Sequence, residues 1–374
     1  MVRAPPAKVT MARYEIRALL QGDEAELHRV AKHLNSVNLP NDRARIEEIV
    51  DLSYRSFAGL VKTKSECEYV FVLVDRDKDM IIGTSMILAQ LGRRGAPYIY
   101  FDVIDEEKYS ATIDKHFHHT ILRIGYSYDG PTEIGGLVMD PAYRGDRLGT
   151  VISYVRFLYL GAHRDRFKDE VVAELLPPLE ADGTSHLWEA LGRKFTDMSY
   201  AEADLLSKKN KEFIKGLFPE GVVYASVLTK EAQSVIGKVG AQTKGVEKLL
   251  RRIGFRYAHR VDPFDGGPHF SATMDEIEPV RETQRTSTWI PLDKDQVLRK
   301  ALVAVEMDLP PFFRAVPASV SIPLDRDSPI QIDRDAIDHL GLREGREIIV
   351  TPYTDDPRRI PPPTTSNRGF LSRG

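Results

Sequence analysis

Apolar and polar positions follow two periods along this chain, that of strands and that of helices, in mixed order. Tyr14-Glu15-Ile16-Arg17 alternates and predicts a first strand. Asp23 is placed to cap a helix with Leu27, Val30, Ala31 and Leu34 on one face, which Asn38-Leu39-Pro40-Asn41 ends. A second helix is predicted from about residue 43 to 59, with Ile46, Ile49, Val50, Tyr54 and Phe57 inward. Tyr69 to Val74 is an unbroken apolar run of strand length, and Asp75 to Asp79 turn it into a partner strand at 81–89. Strands follow at 98–104 and 121–128. Leu137 to Met139 read as a strand end, Asp140-Pro141 as its break, and Val151, Ile152, Val155, Leu158 and Tyr159 as one face of a helix. Val171 to Leu175 is a further strand, closed by Pro177-Pro178. Short helices are predicted around Leu187, Leu191 and Phe195, at 200–206, 210–217 and 230–237, and after Thr243, with Val246, Leu249, Leu250 and Ile253 inward. Phe255-Arg256-Tyr257 begins another strand, so the elements are those of an α/β (α+β) protein.

The character changes beyond about Pro279, where Pro291, Pro310-Pro311, Pro317 and Pro323 punctuate short strands. Residues 285–354 read as a small β-barrel-like module of the swapped-hairpin type. Some such modules bind DNA, but residues 325–350 hold seven acids against four basic side chains, which argues against phosphate contacts. The module is expected to be structural or an assembly surface. Residues 1–12 and 355–374 read as a disordered leader and tail. The length of 374 residues suits two or three domains, and the net charge of −3 gives no global pull toward nucleic acid or anionic membrane. One cysteine, Cys67, excludes an internal disulfide framework, and no window reaches the ~20 apolar residues of a membrane span. A cytoplasmic location is expected.

Chemistry concentrates at 135–150. Arg144 to Thr150 bring glycines and guanidinium groups to a helix start, a natural seat for phosphate. The arrangement resembles the acyl-CoA loop of the GNAT superfamily of N-acyltransferases, Arg/Gln-x-x-Gly-x-Gly/Ala after a strand. Arg144, Gly145 and Gly149 fit, while Arg147 stands where the pattern has its middle glycine. The basic run Lys244, Lys248, Arg251, Arg252, Arg256 and Arg260 reads as the wet face of a helix, or more sharply as an attractor for a CoA phosphate or substrate carboxylate. His116, His118 and His119 invite a metal, but no second ligand segment is evident, so no metal is expected.

Separated stretches from about 14 to 280 together resemble the arginine N-succinyltransferase family. They are Leu39-Pro40, Tyr69 to Leu73, Asp140-Pro141 with Tyr143-Arg144, and Arg156-Phe157 through Arg164 to Phe167. Val171 to Glu174, Trp188-x-x-Leu191-Gly192-x-x-Phe195, Tyr200-x-x-Ala203-Asp204 and Glu231 to Gly237 continue the series. Gly254 to Tyr257 and Phe264-Asp265-Gly266-Gly267-Pro268 complete it, in the family's order and spacing. The resemblance implies a duplicated GNAT-like acyltransferase fold, with an N-terminal half at 13–134 and an acyl-CoA-binding half at 135–284. It implies succinyl transfer from succinyl-CoA to the α-amine of L-arginine, in a homo-oligomer or a pair with a related subunit. Leu137, Val138 and Met139 would then meet pantetheine and thioester, and Arg144, Gly145, Gly149 and Thr150 the pyrophosphate.

Three departures stand out. The family's histidine, assigned as proton donor, falls at Gly240; its Met-Arg-Gly falls at Leu175-Leu176-Pro177; and its polar pair before the central strand is Tyr126-Ser127. Glu133, Glu174, His259 and Asp265 remain as acid–base or substrate-binding candidates. Asp265 would ion-pair a cationic substrate or cap its own turn, and His259 would serve as base or be an ordinary packed or surface histidine. The same reaction with other proton carriers, a respecialised N-acyltransferase, and a non-catalytic scaffold subunit all stay open.

Overall fold

A computed structural model describes residues 13–33, 39–92, 96–144, 147–207, 210–293, 297–325 and 328–354. The expected leader and tail, Leu34, Asn38 and Gly145 lie outside the described residues. Among the described residues sixteen strands form one sheet. The first eight are β1 (Tyr14–Ala18), β2 (Glu68–Asp75), β3 (Met80–Leu88), β4 (Tyr98–Ser110), β5 (Lys115–Ser127), β6 (Thr132–Met139), β7 (Glu170–Glu174) and β8 (Val222–Tyr224). The rest are β9 (Arg256–Val261), β10 (Pro268–Thr273), β11 (Gln284–Thr286), β12 (Trp289–Pro291), β13 (Arg299–Glu306), β14 (Phe313–Ser321), β15 (Ile330–Ile332) and β16 (Ile348–Pro352). The spatial order is β11-β16-β13-β14-β1-β2-β3-β6-β7-β10-β9-β4-β5-β8, with β12 and β15 attached beside β14.

The apolar runs explain the layers. β2 lies between β1 and β3, and its alternate residues feed two cores. Val70 and Val72 face the helices Glu24–Ala31 and Arg43–Phe57, while Tyr69, Phe71 and Leu73 face the helix Leu148–Ala162. That last helix is buried on nearly every side, as a helix apolar all round must be. Gly161 is required there, because a Cβ would lie 2.6 Å from the Thr283 side chain.

One expectation is corrected, that of a closed C-terminal barrel. The boundary between the two expected halves falls inside β6, and both sides share one sheet. Among the described residues the parallel pair β6–β7, with its helical crossover, is the single such unit. The module at 285–354 has its own apolar cluster, including Val303, Val316, Ile332 and Val350, but does not close into a barrel. It extends the main sheet by pairing β14 with β1. The hairpin β4–β5 is longer than expected: its outer half, Asp105–Ser110 against Lys115–Thr120, is mostly polar and exposed and so carries no buried-strand pattern.

Candidate active site

β6 and β7 run parallel and pair only at Thr132↔Val171 and Glu133↔Val172. Beyond that the two strands part, and the helix Leu148–Ala162 connects their ends. On its other edge β6 carries a bulge: Thr84 faces Val138, but Met86 faces Gly135, leaving Gly136-Leu137 opposite Ser85 alone. Gly136 takes φ +56°, a glycine conformation, and its carbonyl accepts from Thr84 Oγ1 at 2.7 Å. The bulge takes Gly136-Leu137 out of the β3 ladder, on the strand that borders the gap between β6 and β7. Val138 is buried in the core, so only its backbone is on offer; Leu137 and Met139 are half-buried.

The loop after β6 is built for a helix start. Asp140 accepts from the Ala142 amide at 3.0 Å and is held by Arg29 at 2.9 Å. Arg144 is exposed, and Arg147 enters the helix in the left-handed conformation at φ 60°, ψ 13°. The residue standing where the loop pattern has glycine is therefore the one with a glycine-like backbone. Gly149 has room for a methyl, its nearest neighbour being Met139 Cγ at 3.8 Å. Gly149 and Thr150 are half-buried in the first turn, where the Thr150 amide donates to Arg147 O at 3.0 Å.

Where β6 and β7 part, carboxylates gather. Glu133 is 4% exposed. It lines a cavity of about 180 Å³ with Glu174, Tyr98, Met86 and Lys211. Glu174 keeps 32% of its side chain accessible there. It still lies deep enough that burial, and then the charges of Glu133 and Asp262, hold its carboxyl well above the usual range. Asp265, from the loop before β10, is pushed up in the same way by burial and by Asp262, against the Gly267 amide bound at 2.7 Å. Tyr200 donates to its other oxygen at 3.4 Å. Burial raises Asp262 to about 6, while the Phe264 amide, donating at 2.7 Å, resists.

The histidine of this cleft is one that the pattern of the sequence did not single out. His269 on β10 stands opposite Glu174 on β7 in the ladder. Its Nδ1 shares a 2.7 Å hydrogen bond with the Tyr98 hydroxyl, and its Nε2 lies 3.6 Å from Glu174 Oε1. Burial, then Arg260 and Lys211, lower its pKa to about 3, so the ring is neutral. His259 is elsewhere. It is exposed at φ +53° beside Tyr257 and lines a surface pocket with Asp102, Arg123 and Arg260. The structure thus brings Glu133, Glu174 and Asp265 together and leaves His259 out. The signal that marked His269 was a titratable residue directly after the Gly266-Gly267-Pro268 turn.

Gly240 adjoins the site and is sealed. Its amide donates to Leu176 O at 2.8 Å, and a Cβ would stand 2.5 Å from Pro177 O. Two departures from the family pattern, Gly240 and Leu175-Leu176-Pro177, are therefore in contact. Of the basic run, Lys244, Lys248, Arg251 and Arg256 are exposed, and Arg251 pairs with Glu247 at 2.9 Å. His116 bonds Glu107 and His119 lies 3.5 Å from Ser226 Oγ, so the three expected histidines do not converge. No described helix is long and apolar enough to cross a membrane.

The family described as arginine N-succinyltransferase beta subunit matches residues 14–279. Arginine N-succinyltransferase of Enterobacter sp. (strain 638) is 32% identical over 272 residues, 72% of this chain and 78% of that protein. The protein of that name from Escherichia coli O6:K15:H31 is 31% identical over the same shares. The solved arginine/ornithine succinyltransferase subunit AI from Pseudomonas aeruginosa superposes with a TM-score of 0.76 at 25% identity, covering 90% of this chain and 98% of the other. With the splayed strands, loop and helix in place, and two thirds of the sequence matched, the chain belongs to the arginine N-succinyltransferase family.

Proposed function

We propose that this protein is an acyl-CoA-dependent N-acyltransferase that moves a succinyl group from succinyl-CoA to the α-amine of L-arginine. The observation that carries the reading is the carboxylate-lined cleft at the point where β6 and β7 part. A cationic amine and a thioester entering the gap would meet there. The cosubstrate's phosphates would lie against Arg144, Gly145, Arg147 and the helix start at Gly149 and Thr150. Leu137, Val138 and Met139 would present backbone groups to pantetheine and thioester.

The substrate ammonium must lose a proton before its nitrogen can attack. Glu174 and Glu133 are the carboxylates nearest the gap, and burial raises the proton affinity of Glu174, as a proton acceptor needs. The amine nitrogen then bonds to the thioester carbon, the carbon–sulfur bond breaks, and the second proton shed by that nitrogen goes to the departing thiolate, which leaves as free CoA. Asp265 would steady the cationic side chain of the substrate. We further read the chain as one subunit of a homo-oligomer or of a pair with a related chain, as the solved relative is called a subunit. Light scattering on the purified protein tests this.

Thiol release from succinyl-CoA and acetyl-CoA, scanned across arginine, ornithine and other amines, tests the reaction. Turnover with succinyl-CoA and arginine is expected. Turnover only with another pair would make this a respecialised acyltransferase. Folded protein that binds CoA yet releases no thiol with any pair would establish the scaffold reading, which the sealed Gly240 favours.

A further inference from the structure

Three side chains converge around Glu174, which lines the cleft: Glu174 from β7, Asp262 directly after β9 and His269 from β10. One ligand atom of each lies within 4.8 Å of the other two. His269 is wholly buried, and among the described residues its Nε2 has no hydrogen-bond partner. Tyr98 holds the other ring nitrogen at 2.7 Å, so the ring cannot turn away to satisfy it. Asp262 is fixed by the Phe264 and Asp265 amides, at 2.7 and 3.3 Å. The cluster is rigid and short of a donor.

Geometry narrows what that donor is. Three acceptors within 4.8 Å of one another share a point about 2.8 Å from each, which is hydrogen-bond range for N–H donors. A primary ammonium carries three such donors around one nitrogen and no acceptor. Lys211 and Arg260 also bear on His269, a field that repels a dication more than a monocation. We propose that Glu174, Asp262 and His269 form a cradle for the primary α-ammonium of the amino-acid substrate, with Lys211 beside it to hold the α-carboxylate. This deepens the N-acyltransferase reading and rests on it, by stating which end of the substrate enters first. It also fixes the imidazole tautomer: Nδ1–H donates to the Tyr98 oxygen, and the Nε2 lone pair faces the ammonium. Glu174 shares the cradle with a group that accepts a hydrogen bond without taking charge.

The test needs first only the wild-type protein. Calorimetric titration with L-arginine should show saturable binding, and Nα-acetyl-L-arginine, which lacks the ammonium, should bind at least tenfold more weakly. His269→Ala should raise KM for arginine about tenfold or more with KM for acyl-CoA unchanged, and His269→Gln should recover part of the loss. Equal binding of Nα-acetyl-L-arginine would overturn the cradle while leaving the acyltransferase reading intact if thiol is still released. Stoichiometric Zn²⁺ uptake that leaves arginine affinity unchanged would overturn it in favour of a metal site. Folded protein that binds no amine and releases no thiol would overturn both readings.

Discussion

Gly240 shows why restoring the family's histidine is a poor probe of this chain. A methyl at that position meets the Pro177 carbonyl at 2.5 Å, and backbone cannot rotate aside as a side chain can. Gly240→Ala is expected to cost about 1–3 kcal/mol in urea unfolding, and Gly240→His more, so the variant should lose folded protein rather than gain turnover. A folded Gly240→His with raised thiol release would show that the 175–177 segment yields. His269 offers a cleaner readout. Its pKa of about 3 lies below the usual 6.5, so the unfolded chain binds the extra proton first. The stability this ring contributes is complete above about pH 6.5 and is lost as pH falls toward 3. Between pH 8 and pH 5 the wild type should lose about 2 kcal/mol that His269→Gln does not, because the neighbouring carboxylates are common to both proteins. Urea unfolding at the two pH values checks it; parallel curves would mean the ring is not held neutral. Neither residue's setting was readable from sequence. His259 and His269 sit on adjoining strands, and the register shift between Pro268 and Phe270 decides which faces the cleft. A bulge opposite a non-glycine left-handed residue leaves no mark in hydrophobic pattern.

At the scale of elements, the strand–loop–helix unit at 132–162 was legible because its parts follow local rules. An apolar run ends at Asp140-Pro141, and an all-apolar helix follows. What the two departing strands do was not legible, since parallel pairing that stops after two residues depends on the bulge on the far edge of β6. Arg147 links the two levels. Its left-handed φ costs a non-glycine residue about 1 kcal/mol, while glycine loses a similar amount in chain entropy. Arg147→Gly should therefore stay within about 1 kcal/mol of the parent in thermal unfolding. Affinity for CoA should fall several-fold if the guanidinium meets phosphate, by calorimetry at low and moderate salt. An unchanged and salt-independent affinity would remove Arg147 from the seat. The bulge invites the companion test. Gly136→Ala forces Met86 to move from 2.7 Å and strains φ +56°, so KM for the acyl-CoA should rise while KM for arginine holds.

For the whole molecule, the GNAT-like acyltransferase fold and the C-terminal strands are one body, which the change of composition near 280 concealed. Leu302, Phe313, Ala315, Ile349 and Tyr353 contribute to the same core as the helix Leu148–Ala162. Glu15 on β1 is the polar counterpart of that seam. Its oxygens accept from Arg314 Nε at 2.6 Å and Nη2 at 2.8 Å, and His339 Nε2 approaches at 2.8 Å. Burial alone would raise the Glu15 pKa, yet the bonds from Arg314 and His339 prevail and hold it down at about 2. A carboxyl lowered from 4.5 to about 2 contributes stability that is present above pH 4.5 and lost as pH falls through 2. Glu15→Gln should then destabilise the protein by about 3 kcal/mol at pH 7, with the gap closing toward pH 2–3. Because Arg314 and His339 lie some 300 residues from Glu15 in the chain, the loss should appear in a single transition shared by the body and the C-terminal strands. Guanidinium unfolding followed by fluorescence of Trp188 in the body and Trp289 beyond the seam distinguishes the cases. Coincident curves that move together in Glu15→Gln support one cooperative body, and a Trp289 transition that separates from Trp188 would show that the C-terminal strands hold on their own.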